Sequence, residues 1–213
     1  MAERPTLLVM AKTPRLGHGK TRLASSIGAA AALRINRALQ ARVLRRCRDP
    51  RWRTVLVVAP DRDVRAPLPG VWPRGVSRIG QGDGDLGARL ARAFRRFGGK
   101  PIAVIGVDCP DTDRLAIAAA FKGAMRRGAA IGPTADGGFW ILSVRDARAA
   151  APAFSEVRWS TSHACADMAA ALGGAVQVRA LTDIDTAEDW RAWAQRRARR
   201  PRAVEADVAS MGR

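Results

Sequence analysis

A basic loop containing two glycines lies between the first strand-like run and the first helix-like run of the chain. It reads K-T-P-R-L-G-H-G-K-T-R-L over residues 12–23. Gly17 and Gly19 let the backbone approach a ligand closely, and backbone amides at the start of the following helix add partial positive charge. The loop therefore predicts a phosphate-binding cradle, with a solvated basic turn as the alternative. Its cations are Lys12, Arg15, Lys20 and Arg22.

The same loop nearly matches the P-loop pattern G-x-x-x-x-G-K-[ST]. Gly19, Lys20 and Thr21 fit its end, but Pro14 stands where the first glycine belongs. The proline ring fixes φ and prevents the turn that glycine supplies there. A P-loop NTPase or kinase remains an alternative, although the first glycine of its motif is missing.

A carboxylate follows a short apolar run, I-A-V-I-G-V at residues 102–107, which predicts a buried strand. Burying an unpaired charge is costly, so Asp108 is expected at the rim of the sheet. There it either ligates a divalent cation, which prefers oxygen donors, or serves as a loop-forming or helix-capping aspartate. Asp183 and Asp185 follow the last predicted strand, 175–181, in the same way.

Strand-like and helix-like segments alternate along the chain, which predicts a mostly parallel α/β sheet. Parallel strands share one carboxyl edge, where ligands bind. The basic loop, Asp108 and the Asp183/Asp185 pair all follow strand ends, so they are expected to meet at one rim. A phosphate bound together with a divalent metal would make cations and carboxylates compatible there.

Three further motifs have both a structural and a functional interpretation. In G-Q-G-D-G-D-L-G-A-R, residues 80–89, Gln81 could bind a base or ribose, and Asp85 is expected to cap a helix. Residues 136–138, Asp-Gly-Gly, predict a turn before a strand at 139–144. Trp159 could pack in the core or floor a pocket, and Ser160 or Thr161 is expected to cap a helix at 162–172.

Helical periodicity predicts the remaining elements. A single helix is expected over residues 24–48, with a stripe of apolar residues every four positions. Another is expected over 113–127 with Met125 inside, and a last one over 187–198. No linker divides the chain, so residues 1–198 are expected to form one domain and 199–213 a disordered basic tail.

Composition limits the classes of protein to which this chain can belong. The 213 residues carry 37 Lys and Arg against 19 Asp and Glu, a formal net charge of +18, which attracts anions. Arginine-rich composition alone also accounts for this excess. No apolar run reaches the roughly 20 residues of a spanning helix, and the N-terminus lacks a signal-like segment. The three dispersed cysteines predict reduced thiols and a cytoplasmic protein.

Taken in order, six motifs resemble the bacterial family DUF2064, a glycosyltransferase-A-like group related to molybdenum-cofactor nucleotidyltransferases and phospholactate guanylyltransferases. They span about residues 7–190 and read A-K-T-P-R-L-G-H-G-K-T-R-L, Q-G-D-G-D-L-G-A-R, V-D-C-P-D, P-T-A-D-G-G-F-W, W-S-T and D-I-D-T-A-E-D. The resemblance implies an α/β nucleotide-diphospho-sugar transferase (GT-A, Rossmann-like) fold with a mixed, mainly parallel sheet and helices on both faces.

The resemblance also implies roles for residues. Lys20, Arg22 and Asp108 would carry the catalysis, and Asp108 and Asp185 would hold Mg²⁺ or Mn²⁺. The nucleotide would contact Lys12, Gly17, Gly19, Lys20, Thr21, Arg22, Gln81, Gly82 and Asp85. The acceptor would contact Asp136, Gly137, Gly138, Trp159, Ser160 and Thr161.

The expected activity is metal-dependent transfer from a nucleoside triphosphate, releasing pyrophosphate, or from a nucleotide-sugar, to a small acceptor. Glycosyl transfer, a P-loop NTPase and a non-enzymatic nucleotide or nucleic-acid binder are the alternatives. The expected partners are the nucleotide and the acceptor, with no specific nucleic acid. Weak contact of the basic face with an anionic surface and a homo-oligomer stay open.

Overall fold

Seven strands form one sheet at the centre of the protein. The computed structural model describes residues 4–199. The strands lie side by side in the order β3-β2-β1-β4-β6-β5-β7. β6 runs antiparallel to both of its neighbours, and the other strands run parallel, which confirms a mixed, mainly parallel sheet. The strands are β1 (Thr6–Lys12), β2 (Arg53–Ala59), β3 (Ser77–Gly80), β4 (Ile102–Ile105), β5 (Ala129–Pro133), β6 (Phe139–Val144) and β7 (Val176–Gln177).

Helices cover both faces of the sheet. They are α1 (Thr21–Ile27), α2 (Ala29–Arg46), α3 (Leu86–Arg96), α4 (Arg114–Arg127), α5 (Ala147–Ala150), α6 (Ala164–Ala171) and α7 (Ala187–Arg199). One face packs on α2 and α4 through residues such as Val43, Leu44 and Phe121, and the other on α3, α5 and α6 through Phe94 and Met168. α7 packs across α2 through Trp193.

The strands that position the site are apolar and buried. β4 is buried along its whole length, and Leu56 to Val58 of β2 are completely enclosed. Continuous Val, Ile and Leu runs are typical of parallel strands that are covered on both faces. Because β3, β2, β1 and β4 run side by side in the same direction, the loops that follow them emerge at one edge.

The prediction of a single helix over residues 24–48 is wrong, because two helices occupy this part of the chain. Gly28 adopts φ +82°, ending α1 and preceding α2, and glycine takes this conformation without a Cβ penalty. Met125 was expected inside α4, but its exposed fraction is 49%, because it lies on the side of the helix turned from the sheet.

Three predictions near the C-terminus also need correction. The strand predicted over 175–181 is reduced to two residues in β7. The helix predicted at 162–172 begins at Ala164, and its N-cap residue His163 makes no side-chain cap. Thr161 does not cap its first turn, because the Thr161 hydroxyl accepts from His163 N at 3.2 Å, one residue ahead of the helix, and donates to Arg158 O at 2.7 Å. The segment 147–156, with α5 and a 3-10 turn at Ala151–Glu156, was not expected.

The remaining sequence expectations concern the termini and the cysteines. Cys47, Cys109 and Cys165 are free thiols, as expected. Arg199 is the last residue of α7, and the rest of the predicted tail, 200–213, lies outside the described residues. Between residues 4 and 199, no helix is both long and apolar enough to cross a lipid bilayer.

Candidate active site

The basic loop after β1 forms a short finger at the carboxyl edge of the sheet. The amide of His18 donates to Arg15 O at 3.1 Å, closing a reverse turn. Gly17 and Gly19 adopt φ of +75° and +73°, which explains why glycine occupies both positions. Arg15 fixes the base of the finger, since its Nη2 lies 2.5 Å from Asp63 Oδ1.

Lys20 ends the finger and turns its ammonium inward. Its backbone is left-handed, with φ 50°, a conformation that is costly without glycine and is concentrated at functional sites. The side chain is only 7% exposed, and its Nζ lies 2.5 Å from Asp108 Oδ1 and 2.9 Å from Asp185 Oδ1. The same Nζ donates to Ile184 O at 2.5 Å.

Asp108 and Asp185 stabilise the charged form of the Lys20 ammonium. Burial alone lowers the pKa of Lys20, but the charges and hydrogen bonds of Asp108 and Asp185 outweigh it and raise the pKa above its ordinary value of 10.5. A positive charge is therefore fixed between two carboxylates, so we call Lys20, Asp108 and Asp185 the lysine–aspartate centre.

The two carboxylates come from distant parts of the chain. Asp108 follows β4, and Asp185 follows the loop after β7; Ile184 N donates to Asp108 O at 3.0 Å and joins the two segments. Their side chains are 46% and 39% exposed, so both reach solvent. The predicted metal pair is thus brought together, around a lysine.

The donor chemistry of the lysine–aspartate centre fits a hard divalent cation. Both carboxylates offer two oxygens, and Lys20 Nζ lies against Oδ1 of each. No group of three or more His, Cys, Asp and Glu side chains that could hold a metal occurs among the described residues. Magnesium commonly binds through one or two carboxylates together with substrate phosphates, so this pair suits a metal that arrives with a nucleotide.

Asp136 and Asp183 form a second pair of carboxylates beside the centre. Burial, followed by the negative charges of Asp136 and Asp185, raises the pKa of Asp183 above its ordinary value. Burial likewise raises the pKa of the neighbouring Cys109 thiol, helped by the charges of Asp183 and Asp108. This end of the site is acidic and disfavours a thiolate nucleophile.

A cleft of about 410 Å³ opens next to the centre, over the ends of β1, β2 and β3. Its lining includes the basic side chains of Lys12, Arg62 and Arg89 and the carboxylates of Asp61 and Asp83. Two of its lining groups, Thr13 Oγ1 and Arg89 Nε, are buried without a hydrogen-bond partner in the described part of the chain. Such orphaned atoms are costly unless a ligand satisfies them, so the cleft is suited to a polar anionic molecule.

Sequence reasoning missed several residues of this cleft. Thr13, His18, Arg62 and Arg89 line it. Thr13 and His18 lie within the basic loop, and Arg89 ends the motif at 80–89, but the motifs alone give none of them a role. The proximity of Thr13 and His18 to the glycines of the finger was the one available signal. Arg62 and Arg89 are brought in from a loop and from α3 by the tertiary fold.

The three residues predicted to seat the nucleoside have different surroundings. Gln81 is buried, and its amide donates to Ala11 O at 3.2 Å and Val57 O at 3.0 Å. Asp85 caps α3 by accepting from Ala88 N at 2.8 Å, as expected for a cap. Gly82 lines the cleft. Nucleotide contact by these three residues stays a prediction.

Thr21 and Arg22 lie in the first turn of α1. The Arg22 side chain is 76% exposed, and its Nη1 is 3.9 Å from Asp185 Oδ2. It is therefore free to move toward a phosphate while remaining close to the lysine–aspartate centre. Lys12, at the end of β1, is also exposed.

The residues predicted to contact an acceptor form two turns that pack together. Asp136 Oδ1 accepts from Thr134 Oγ1 and Gly138 N, which confirms the predicted turn. A Cβ on Gly137 would lie 2.0 Å from Ser162 O, so only glycine permits this close approach. The two turns thus hold their positions against each other.

Trp159 and Ser160 form the second turn of this side. The Trp159 ring packs edge-on against Phe139, with ring centroids 6.1 Å apart, and its Nε1 donates to Phe154 O at 2.9 Å. Ser160 is exposed and has φ 61°. Besides Lys20, it is the other non-glycine residue with positive φ in the described chain, so both strained residues lie in predicted site segments.

Comparison of sequences identifies one family. The family model DUF2064, described as an uncharacterized protein conserved in bacteria, matches residues 43–161. A search of curated proteins finds no match.

Solved structures share the fold across almost the whole chain. A provisionally assigned nucleotide-diphospho-sugar transferase from Desulfovibrio desulfuricans G20 is 22% identical, with a TM-score of 0.84 over 92% of this chain and 88% of that one. The 2-C-methyl-D-erythritol 4-phosphate cytidylyltransferase from Thermus thermophilus is 18% identical, with a TM-score of 0.56 over 92% and 100%. Molybdopterin-guanine dinucleotide biosynthesis protein A from Archaeoglobus fulgidus is 14% identical, with a TM-score of 0.55 over 92% and 100%. The predicted GT-A-like fold is confirmed.

Proposed function

Since this chain belongs to the bacterial DUF2064 family and has a GT-A-like fold, we propose that it is a metal-dependent nucleotidyltransferase. It would take a nucleoside triphosphate and a small acceptor and release pyrophosphate. The lysine–aspartate centre beside a basic cleft is the observation that carries this proposal. Proteins of the same fold include a cytidylyltransferase, which supports this reaction class.

The lysine–aspartate centre explains why a triphosphate suits this edge. Lys20 is held at this edge by two carboxylates and a carbonyl. Because an ammonium has three N–H donors, contact with a phosphate oxygen would replace one of these three contacts. Arg22 and Lys12 are exposed nearby and would complete the contacts to the leaving phosphates. Asp108 and Asp185 would hold Mg²⁺ or Mn²⁺, which would neutralise phosphate charge and orient the triphosphate.

The remainder of the site would supply orientation. The nucleoside would enter the basic cleft, where Thr13 Oγ1 and Arg89 Nε lack partners among the described residues. The acceptor would lie against the turns at 134–138 and 159–162. An acceptor oxygen would then attack the α-phosphorus, the bond from that phosphorus to the β-phosphate oxygen would break, and pyrophosphate would leave. An ionised phosphate acceptor needs no general base, so positioning provides most of the acceleration.

Glycosyl transfer from a nucleotide-sugar is the second candidate. It is favoured by the likeness to the Desulfovibrio protein. The TM-score of that protein is 0.84 and exceeds those of the Thermus and Archaeoglobus proteins compared above. In that reaction the acceptor would attack the sugar, and the nucleoside diphosphate would leave with its phosphates on the same cations.

The P-loop alternative does not fit the fold. Residues 15–18 close a reverse turn rather than a phosphate-enclosing loop. The chain also has an antiparallel strand, β6, beside the Asp108 strand. A non-enzymatic binder stays an outcome of the experiment below.

The proposal is tested by product analysis. The protein is incubated with each nucleoside triphosphate or nucleotide-sugar, Mg²⁺ or Mn²⁺, and a pool of small phosphorylated acceptors. Pyrophosphate formed from one triphosphate supports nucleotidyl transfer, whereas a nucleoside diphosphate formed from a nucleotide-sugar favours the second candidate. Metal-independent binding without any product would overturn both.

A further inference from the structure

A second cleft lies at the opposite edge of the sheet from the lysine–aspartate centre. It has a volume of about 680 Å³ and opens at the starts of β1 and β2, beside the end of α3. β1 has seven residues, so at about 3.3 Å per residue the two edges are roughly 20 Å apart. The volume lies in the range of small-molecule sites, and the proposed transfer reaction does not use it.

Four cations line this amino-edge cleft: Arg4, Arg53, Arg96 and Lys100. No acidic side chain is among its described lining residues. Asp146, which lies beside Gly99, has its Oδ1 engaged by two amides at the start of α5. Like charges gathered in one concave surface repel one another and attract an anion.

The three arginines of the cleft lack carboxylate partners within residues 4–199. Arg53 reaches only Ser77 Oγ, at 3.3 Å, and Arg4 only Pro50 O, at 3.4 Å. The guanidinium groups of the cleft can therefore turn toward a ligand without breaking an ion pair.

One wall of the cleft is apolar. Ile79 of β3 and Phe97, just after α3, are partly exposed there while packing on the core. A planar or aliphatic group would bury surface against them, at about 25 cal/mol for each Å² removed from water. Guanidinium groups bind phosphate through paired hydrogen bonds. Together these features define the chemistry of the occupant.

We infer that the amino-edge cleft is a second binding site, which takes a small organic phosphate with at least two negative charges and an apolar or planar part. The phosphate would lie among Arg4, Arg53 and Arg96, and the apolar part would lie against Ile79 and Phe97. The inference does not depend on the proposed transfer reaction, because none of these residues belongs to it.

Calorimetric titration with ADP, in the absence of divalent metal and at physiological salt, tests the inference. The paired substitutions Arg53→Gln and Arg96→Gln remove two cations of the cleft. Arg126→Gln with Arg127→Gln removes two exposed arginines from the last turn of α4 and serves as the charge-matched control. Lys12→Gln with Arg89→Gln impairs the carboxyl-edge cleft instead.

Because a hydrogen bond to a charged group is worth about 1.5–3 kcal/mol, the Arg53/Arg96 variant should lose at least tenfold in affinity for one class of ADP site. The α4 control and the Lys12/Arg89 variant should keep that class. Pyrophosphate should bind it more weakly than ADP, since it has nothing to place against Phe97. Equal losses in the Arg53/Arg96 variant and the α4 control would show a general charge effect, and that result would overturn the inference, as would citrate binding tighter than ADP.

Discussion

Lys20 is the residue on which the site depends most. It combines a left-handed backbone, an almost fully buried ammonium and contacts with two carboxylates. The left-handed backbone and the burial cost free energy, the contacts with the carboxylates offset that cost, and together these features fix one positive charge at the carboxyl edge. Sequence reasoning identified Lys20 as a phosphate ligand but did not anticipate its pairing with Asp185, because the two residues are 165 positions apart.

Replacing Lys20 by methionine should separate its structural and functional roles. Lys20→Met leaves Asp108 and Asp185 without their shared cation, so the free energy of unfolding should fall by about 1–2 kcal/mol, a value reduced because both carboxylates are partly exposed. Turnover should fall by about 100-fold or more. Urea denaturation and steady-state kinetics measure the two effects.

Lys12→Met is the matched control for stability, since Lys12 is exposed and makes no ion pair in the described chain. Its free energy of unfolding should change by less than about 0.5 kcal/mol. An unchanged turnover in Lys20→Met would contradict the assignment of Lys20 to the leaving phosphates.

At the scale of elements, two packed turns form the acceptor side. The turn at 134–138 was predicted from Asp136-Gly137-Gly138, and its hydrogen bonds confirm it. Its contact with residues 159–162 was not predictable, because that contact depends on tertiary packing: Cys165 N donates to Gly137 O at 2.9 Å. The cap expected from Ser160 or Thr161 is not formed, because the helix begins only at Ala164 with His163 at its N-cap.

Adding a methyl group to Gly137 should separate the two turns. Both Gly137→Ala and Gly173→Ala place alanine at positive φ, +83° and +70°, at a cost of about 1–2 kcal/mol. Only the first adds a clash, with Ser162 backbone atoms at 2.0 and 2.6 Å, whereas a Cβ at Gly173 meets nothing. Gly137→Ala should therefore lose clearly more stability in chemical denaturation; equal losses would show that the turns do not press on each other.

A single ion pair ties the second turn to α6. Arg158 donates from its guanidinium and its amide to Asp167, and these hydrogen bonds lower the pKa of Asp167 to about 2. A carboxylate with a lowered pKa stabilises the fold above its unfolded pKa, here near 3.8, and this stabilisation disappears as pH falls through the folded pKa.

Asp167→Asn should accordingly be less stable than the wild type above about pH 4, the unfolded pKa of the carboxyl group. The difference should shrink as the pH falls from 3.8 toward about 2. Urea denaturation at a series of pH values measures it. A difference that stays constant through this range would show that the pair does not stabilise the native state.

For the whole molecule, alternation of strands and helices was sufficient to predict the sheet and the edge at which the basic loop and the aspartates gather. Apolar runs marked β1, β2 and β4, and the polar residues after them do gather at one rim. Periodicity could not reveal the reversal of β6, whose apolar residues are buried whichever way it runs. Nor could it reveal Arg89 Nε, which becomes an orphaned group only when α3 packs beside the cleft.

What the net charge of +18 implies for ligand binding depends on where the charged side chains lie. At the carboxyl edge, Asp63 pairs with Arg15, and Asp108 and Asp185 pair with Lys20. At the amino edge, the arginines of the second cleft gather without carboxylate partners among the described residues. The two edges therefore differ in character: one combines cations with carboxylates, and the described lining of the cleft at the other contains cations but no carboxylate.

The central claim is that Asp108 and Lys20 bind a nucleotide together with a divalent metal, and thermal unfolding tests it most directly. Wild type, Asp108→Asn and the control Asp146→Asn, which keeps a capping side chain at the opposite edge, are heated with each nucleoside triphosphate or nucleotide-sugar, with and without Mg²⁺. A ligand at about 100 times its Kd adds roughly 2.7 kcal/mol, or about 5–10 °C for a chain of this size. We predict such a Mg²⁺-dependent shift with one donor in the wild type and in Asp146→Asn, and its loss in Asp108→Asn. An unchanged shift in Asp108→Asn, or no shift with any donor, would contradict the account.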